Sequence, residues 1–412
     1  MNKWRLIFLC NFFIPLLSFG QDKDLDYYIS NAVSNSPLLN DFRNQVLLNK
    51  ADSQLLLATT RVQVTGNGNS FYAPVIAGYG YDKILTNGGQ LQALVTASKN
   101  LFPKNFLNLQ FFDLQLTGDS IRTASRISEL DLKKNIINQY ITVYGDQLQL
   151  GFNNELHALL SREEIILKRL TQKNVYKQVD YLSFLVTYQQ QNLTQQQLAV
   201  QYKNDFSTLN YLAGIFDTST TILPEPSMSA IRDFATDTSA FFQKFRIDSL
   251  RLINNRSLIN FSYKPHINLF ADGGYQSSLQ VQPYKNLGTS FGINFTVPIY
   301  NGHQKKLQFL KIDIAERTRL RNREFFERQY YQQVAQLQQQ LSAIENLLDP
   351  INKQIKYIQT LIDVNGKLLE TGDIKMTDYI LALNNYITAK NLVVQNTIAR
   401  YLVINQLNYW KK

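Results

Sequence analysis

KQVDYLSFLVTY, residues 177–188, and KMTDYILALNNY, residues 375–386, share the pattern K-x-x-D-Y-x-x-x-L-x-x-Y without a gap. Lys177, Asp180, Tyr181, Leu185 and Tyr188 return as Lys375, Asp378, Tyr379, Leu383 and Tyr386, each 198 positions on. At the same offset Leu209-Asn210-Tyr211 returns as Leu407-Asn408-Tyr409. Tyr, Leu and Tyr at steps of four and three fall on one stripe of a helix. The Asp falls in its first turn, where a carboxylate meets exposed N–H groups and the positive end of the dipole. Two such stretches in one chain indicate an internal duplication.

Each motif follows a long segment of helical periodicity. From about Lys104 to Gln172 the apolar positions include Ile121, Ala124, Ile127, Leu130, Ile136, Tyr140 and Tyr144. The counterpart runs from about Gln304 to Leu369. At ~1.5 Å per residue, a helix of that span is on the order of 100 Å long, whereas globular helices average ~11–12 residues. The chain is expected to reverse around Asn174 and at Glu370-Thr371-Gly372-Asp373, and shorter helices return through Ala213 and Tyr409. Gly151 and Pro350 interrupt the two long segments 199 positions apart. Both residues weaken a helix interior, so each predicts a bend or break.

Before each long segment the period changes to two. Phe71, Ala73, Val75, Ala77, Tyr79 and Tyr81 would share one face of a strand; Asn87-Gly88-Gly89 is turn chemistry, and Gln90 to Phe102 is the return strand, carrying Leu91, Ala93, Val95 and Ala97. In the second half, 266–278 and 288–300 form the pair, with Phe291, Ile293, Phe295, Val297 and Ile299 alternating against Ser290, Gly292, Asn294 and Thr296. Such strands match the ~9–11 residues that cross a bilayer when tilted. Helical patterns at 22–60, divided by Pro37, and at about 232–262 precede the strand pairs. The chain therefore divides into a leader at 1–20, a first structural repeat at 21–213 (strand pair about 71–102), a linker at 214–231 containing Pro224 and Pro226, and a second repeat at 232–412 (strand pair about 266–300).

The leader, MNKWRLIFLCNFFIPLLSFG, has a basic start, an apolar run and small residues Ser18 and Gly20 before Gln21, the pattern of a signal peptide. Cys10, the single cysteine, lies inside it. The apolar run continues past Cys10 and no small residues precede it, so cleavage after Gly20 is expected rather than lipidation. No disulfide or thiol chemistry then remains. The net charge of +10 becomes +8 when Lys3 and Arg5 leave with the leader. The remaining cations are scattered among acids along helices, which reads as a solvated face and not a nucleic-acid surface. No later segment approaches the ~18–20 apolar residues of a membrane helix, so any membrane entry must be by strands.

Catalysis finds no support. His157, His266 and His303 stand apart without metal-ligand spacing, and no G-x-S-x-G or phosphate-loop motif is present. No cofactor is expected. Four strands cannot close a barrel, and an open edge in lipid leaves backbone groups unpaired. Chains must pool strands, and a polar-lined alternating face favours a larger barrel with a wet lumen over an eight-stranded one.

The chain resembles the TolC-like outer membrane factors, the exit ducts of efflux pumps and type I secretion systems. Val297-Pro298-Ile299-Tyr300-Asn301-Gly302 is similar to the family's strand-to-helix transition, with Leu101-Phe102-Pro103 its weaker counterpart; Pro103, Pro298 and Gly302 mark these transitions. Gly372 through Asp378 resembles the family's tip motif, with Asn174 at the corresponding place in the first half and Lys177 and Lys375 where the family often has a small hydroxyl residue. The resemblance spans essentially the whole mature chain.

It implies a mixed, mostly α fold: duplicated long helical hairpins forming a trimeric α-barrel tunnel, with four strands per chain in a shared twelve-stranded transmembrane β-barrel. It also implies an outer membrane location with most of the chain in the periplasm, passive conduction, and partnership with a periplasmic adaptor protein and an inner-membrane transporter. Under it, Asn174, Lys177, Asp180, Tyr181, Gly372, Asp373, Lys375, Asp378 and Tyr379 form the tip. These residues either cap and pack the hairpins or dock the adaptor. Asp363, Glu370 and Asp373 are candidate entrance acids, or simply solvated. The alternative is a soluble periplasmic coiled-coil protein, structural or an adaptor. That reading does not need an apolar-out, polar-in strand at 289–299. A lone porin-like barrel fits poorly with four strands and this much helix.

Overall fold

The computed structural model describes residues 23–82, 89–231, 239–279 and 282–411. The expected signal peptide with Cys10, the turn residues Asn87 and Gly88, and the start of the helix expected from 232 lie outside the described residues. In chain order the elements are α1 (Leu25–Asn35), α2 (Pro37–Thr59), β1 (Gln63–Tyr72), β2 (Gly89–Leu101), α3 (Lys104–Gln172), α4 (Gln178–Leu212), α5 (Ala240–Ser262), β3 (His266–Ser277), β4 (Leu287–Thr296), α6 (Gln304–Thr371) and α7 (Met376–Trp410). Helix, strand pair, long helix and return helix thus follow in the same order twice. Among the described residues no helix is long and apolar enough to cross a membrane.

Pro37 separates α1 from α2 as its chemistry requires. It occupies the first turn of α2, where its missing N–H costs nothing, and the Ser36 hydroxyl accepts from Leu39 N at 3.3 Å. No break occurs at Gly151 or Pro350: α3 and α6 run through them as continuous helices. A glycine costs a helix about 1 kcal/mol and a proline about 3 kcal/mol. Packing outweighs those costs here, since Phe152, Leu156 and Ile351 beside them are buried.

The four strands form one antiparallel sheet in the order β1-β2-β3-β4. Its register sorts the side chains into two unlike faces. Val64, Ala97, Ala271 and Phe291 stand opposite one another in sequence across the sheet, and Val95, Leu101, Ile267, Leu269, Ile293 and Phe295 share their face. The other face carries Asn67, Gln92, Thr96, Asn268, Asp272, Ser290 and Asn294. Ile293 and Phe295 are about two-thirds exposed and Phe291 is 91% exposed, so the apolar face lies open.

The first strand departs from the sequence expectation. β1 ends at Tyr72, and 73–81 is not strand; it folds into a tight turn bridged by Ile76 and Tyr79. Pro74 cannot donate to a ladder, and Ala77 and Gly78 both adopt positive φ. The true strand, QVTGNGNSFY, is rich in glycine and asparagine and lacks the apolar alternation that marks β4. Its register also places Phe71 on the polar face.

Two compact units are present, each drawing on both halves of the sequence: one from the described residues of Met1–Asn35, Asn135–Met228 and Asn346–Leu402, the other from those of Ser36–Lys134, Ser229–Glu345 and Val403–Lys412. The first is packed around Leu156, Leu160 and Leu167 of α3, Phe184 of α4, Ile362 and Leu369 of α6, and Tyr379 and Leu383 of α7. Its part of the linker is tied down rather than loose. Tyr140 OH donates to the Pro224 carbonyl at 2.7 Å, the Gln147 side chain pairs with the Leu223 backbone in both directions, and Tyr401 OH donates to the Glu225 carboxylate. The second unit holds the sheet and a cluster of Tyr330, Val334, Leu337 and Leu407 with Phe242 and Trp410.

Candidate functional site

In the first unit, two helix reversals built from matching residues meet. α3 ends in a Schellman motif: Val175 N–H donates to Leu170 O and Asn174 N–H to Thr171 O, both at 3.0 Å, with Asn174 at φ 59°. α6 ends in the same way, Asp373 N–H reaching Leu368 O at 2.9 Å and Gly372 N–H reaching Leu369 O at 3.2 Å, with Gly372 at φ 81°. Asn174 and Gly372 are thus equivalent left-handed positions, occupied by the two residues that best tolerate them.

The return helices open alike. Asp180 N–H and Tyr181 N–H donate to Lys177 O, and Asp378 N–H and Tyr379 N–H donate to Lys375 O. In the first turn the Asp180 carboxylate also accepts from Lys177 N at 3.2 Å. The two reversals touch at equivalent positions: Tyr176 OH donates to Ile374 O at 2.9 Å. Val175 lies where a Cβ on Gly372 would go, so this glycine is needed for close approach as well as for its φ.

Asn174, Lys177, Asp373, Lys375 and Asp378 are exposed at this end, while Asp180, Tyr181 and Gly372 are half-buried. Tyr379 is fully buried. Asp363 and Glu370 are exposed on α6, seven residues apart, and among the described residues no cluster of acids, histidines or cysteines has the arrangement of a metal site. Pro103 lies between β2 and α3, and its carbonyl accepts from Phe106 and Leu107 at the start of that helix. Pro298 and Gly302 lie between β4 and α6.

The matching tyrosines have different surroundings. Tyr181 OH donates to Glu164 Oε1 at 2.6 Å, and this bond, followed by burial, pushes the phenol up to about 12. Tyr379 sits beside Glu163 instead, its phenol also raised, first by burial and then by that acid, and its OH has no hydrogen-bond partner among the described residues. Glu163 is only 5% exposed. Burial foremost, then the Glu370 carboxylate, pushes its carboxyl up to about 7, against a smaller opposing pull from Arg162. Its Oε1 lies 3.5 Å from where a Cβ on Gly366 would be, so Gly366 leaves it room.

Glu163 was not among the residues expected here, yet a signal was available. Leu156, Leu160, Glu163 and Leu167 form a continuous helical stripe with one acid in an apolar place. A second buried acid, Asp146, follows the same logic further along α3; burial and the neighbouring Asp205 raise its carboxyl, while Gln201 donates to it at 3.0 Å.

No family model and no curated protein matches the chain by sequence. Solved structures match it along nearly its whole length. CusC, whose structures concern transmembrane channel formation, is 14% identical at a TM-score of 0.75, covering 94% of this chain and 92% of its own. The outer membrane protein VceC of Vibrio cholerae is 10% identical at 0.76, covering 94% and 96%. The CmeC outer membrane channel of Campylobacter jejuni is 10% identical at 0.75, covering 95% and 86%. The fold is that of these channels.

The channel fold bears out the expected class: mostly α, with long hairpins and one four-stranded sheet in each chain. At identities this low it carries over as architecture. The local chemistry at the reversals and on the sheet is this chain's own.

Proposed function

We propose that the chain is an outer membrane channel, the passive exit duct of an efflux or type I secretion machine. Three copies would pool their strands into a twelve-stranded barrel above a helical tunnel in the periplasm. A periplasmic adaptor would meet the exposed residues around Asn174, Lys177, Gly372 and Lys375 and link the duct to an inner-membrane transporter that supplies the energy. Asp363, Glu370 and Asp373 would then line the entrance and favour cations there.

The observation that carries this reading is the sheet, with an exposed apolar face backed by a polar one. Such a sheet is unstable in water and matches a barrel wall, lipid outside and a wet lumen inside. The likeness to the CmeC and VceC structures supports it. The test is the detergent-corrected mass of the protein extracted from outer membranes, by light scattering. Three chains per detergent-bound particle is the expected result, followed by crosslinking from Asn174 and Gly372 to an adaptor. A particle that needs no detergent would sink the channel reading and leave the soluble coiled-coil protein in its place.

A further inference from the structure

One end of the sheet is ringed by unopposed positive charge. The register brings the start of β1, the end of β2, the start of β3 and the end of β4 to the same edge, since Gln63 pairs with Ser98, Leu101 with Ile267 and His266 with Thr296. At that edge stand Arg61, Lys99, Lys104, Lys264, Lys305 and Lys306. Sequence position rules out nearby neutralisation along the chain. Between Ser53 and Phe112 the single acid is Asp82, and between Ser249 and Ile312 it is Asp272. Asp82 lies beyond the other end of the strands, and Asp272 lies in mid-strand on the polar face, within 3.3 Å of Ser290 Oγ. None of the six cations forms an ion pair with another described residue.

The charges are mixed with ring and aliphatic surface in the manner of an interfacial anchor. Lys264 Nζ lies 3.8 Å from the centre of the Phe261 ring, and Lys305 Nζ lies about 6 Å from those of Tyr263 and Phe309. Such lysines rest apolar stems on the protein and leave their heads outside. Lys99 projects from the apolar face itself, opposite Leu269, two residues before its end. Ile299 and Tyr300, just past β4, are 95% and 78% exposed. At the opposite end of the strands the described residues bring charges of both signs, Asp82 and Lys285.

We propose that this belt binds the anionic phosphodiester headgroups of the phospholipid leaflet facing the helical part of the chain. The inference rests on the channel reading, which puts the apolar face in lipid. Acyl chains would lie against Ile293, Phe295 and Ile299, and the phosphates would meet the six cations at the level where hydrocarbon gives way to headgroups. Basic residues next to a membrane attract anionic lipid by an amount equivalent to roughly fivefold per cation, weakening with salt. Zwitterionic lipid offers the phosphate together with a compensating cation and gains far less.

The test is native mass spectrometry of the full-length protein in detergent with equal parts phosphatidylglycerol and phosphatidylcholine. Wild-type protein is expected to retain phosphatidylglycerol at least about tenfold over phosphatidylcholine. The combined variant Lys99→Gln, Lys264→Gln, Lys305→Gln and Lys306→Gln is expected to fall to near parity, and the matching Lys→Arg variant to keep the preference. Equal retention of the two lipids by wild type, or a preference unchanged in the Gln variant, would overturn the proposal. So would stripping of the lipid by millimolar inorganic phosphate, which would mark a free-phosphate site. Should the Gln variant fail to assemble, salt decides: a wild-type preference that survives about 0.5 M salt is not electrostatic. Protein that binds neither detergent nor either lipid would defeat the channel reading instead.

Discussion

The reversal at 173–181 and the one at 371–379 begin from the same motif and the same backbone, and they differ in what they bury. In the first, Tyr181 keeps part of its surface and donates a hydrogen bond to the half-buried Glu164 of α3. In the second, Tyr379 is enclosed with Glu163 between helices, and among the described residues neither the phenol oxygen nor Glu163 Oε2 finds a hydrogen-bond partner. The duplicated residues thus supply one hairpin held by solvent-accessible bonds and another held by packing around a costly acid. Burying an unpaired polar group costs stability, so the second reversal is the one whose environment pH or a neighbouring surface can alter.

Truncation should separate the two most sharply. Tyr379→Ala removes a fully buried aromatic and is expected to cost about 3–5 kcal/mol, read from the denaturant midpoint of the helical signal. Tyr181→Ala should cost about 1–2 kcal/mol, mostly the bond to a charged acceptor. Equal losses would erase the asymmetry.

Glu163 gives the next largest effect, and its sign follows from proton counting. Its carboxyl moves from an ordinary value of 4.5 to about 7 in the folded chain. Between those values the folded chain holds a proton that the unfolded chain has released, so stability falls as pH rises through that window. Glu163→Gln should therefore stabilise by on the order of 3 kcal/mol above pH 7 and by nothing below the ordinary carboxylate range. The slope left behind belongs to Asp146, raised for the same reason. A variant with the wild-type slope would place the titration elsewhere.

Backbone effects come third. Gly372→Ala must hold a side chain at φ 81° against Val175 and should cost about 1–2 kcal/mol. At the equivalent position Asn174→Gly relieves strain and should be neutral or slightly stabilising by thermal melt. The smallest contrast is in the hydroxyls. Tyr181→Phe should lose about 1 kcal/mol with its bond to Glu164, whereas Tyr379→Phe removes an unpartnered group and should lose nothing.

Much of the fold was legible in the sequence because periodicity is a local property repeated over many residues. The long helices, their reversals at Asn174 and Gly372, the separation at Pro37 and the strands β2, β3 and β4 all follow from spacing and from residues with restricted backbones. β1 was not legible. Its ten residues carry little apolar alternation, while the downstream stretch that does alternate contains Pro74 and folds back on itself. The pairing partner β2, 17 or more residues away in the chain, selects the strand.

By itself the sequence determined that the chain is duplicated, built of helices far longer than globular ones, and furnished with strands whose faces differ. Turn chemistry and hydrophobic period act on neighbours, so they survive without knowledge of the rest. Only the tertiary structure decided that α3 and α6 pass Gly151 and Pro350 unbroken, and that Tyr181 and Tyr379 part company. It alone gathered six cations from separate segments onto one edge of the sheet. Burial and charge proximity depend on what packs across the fold, and two copies of one motif can meet different neighbours there.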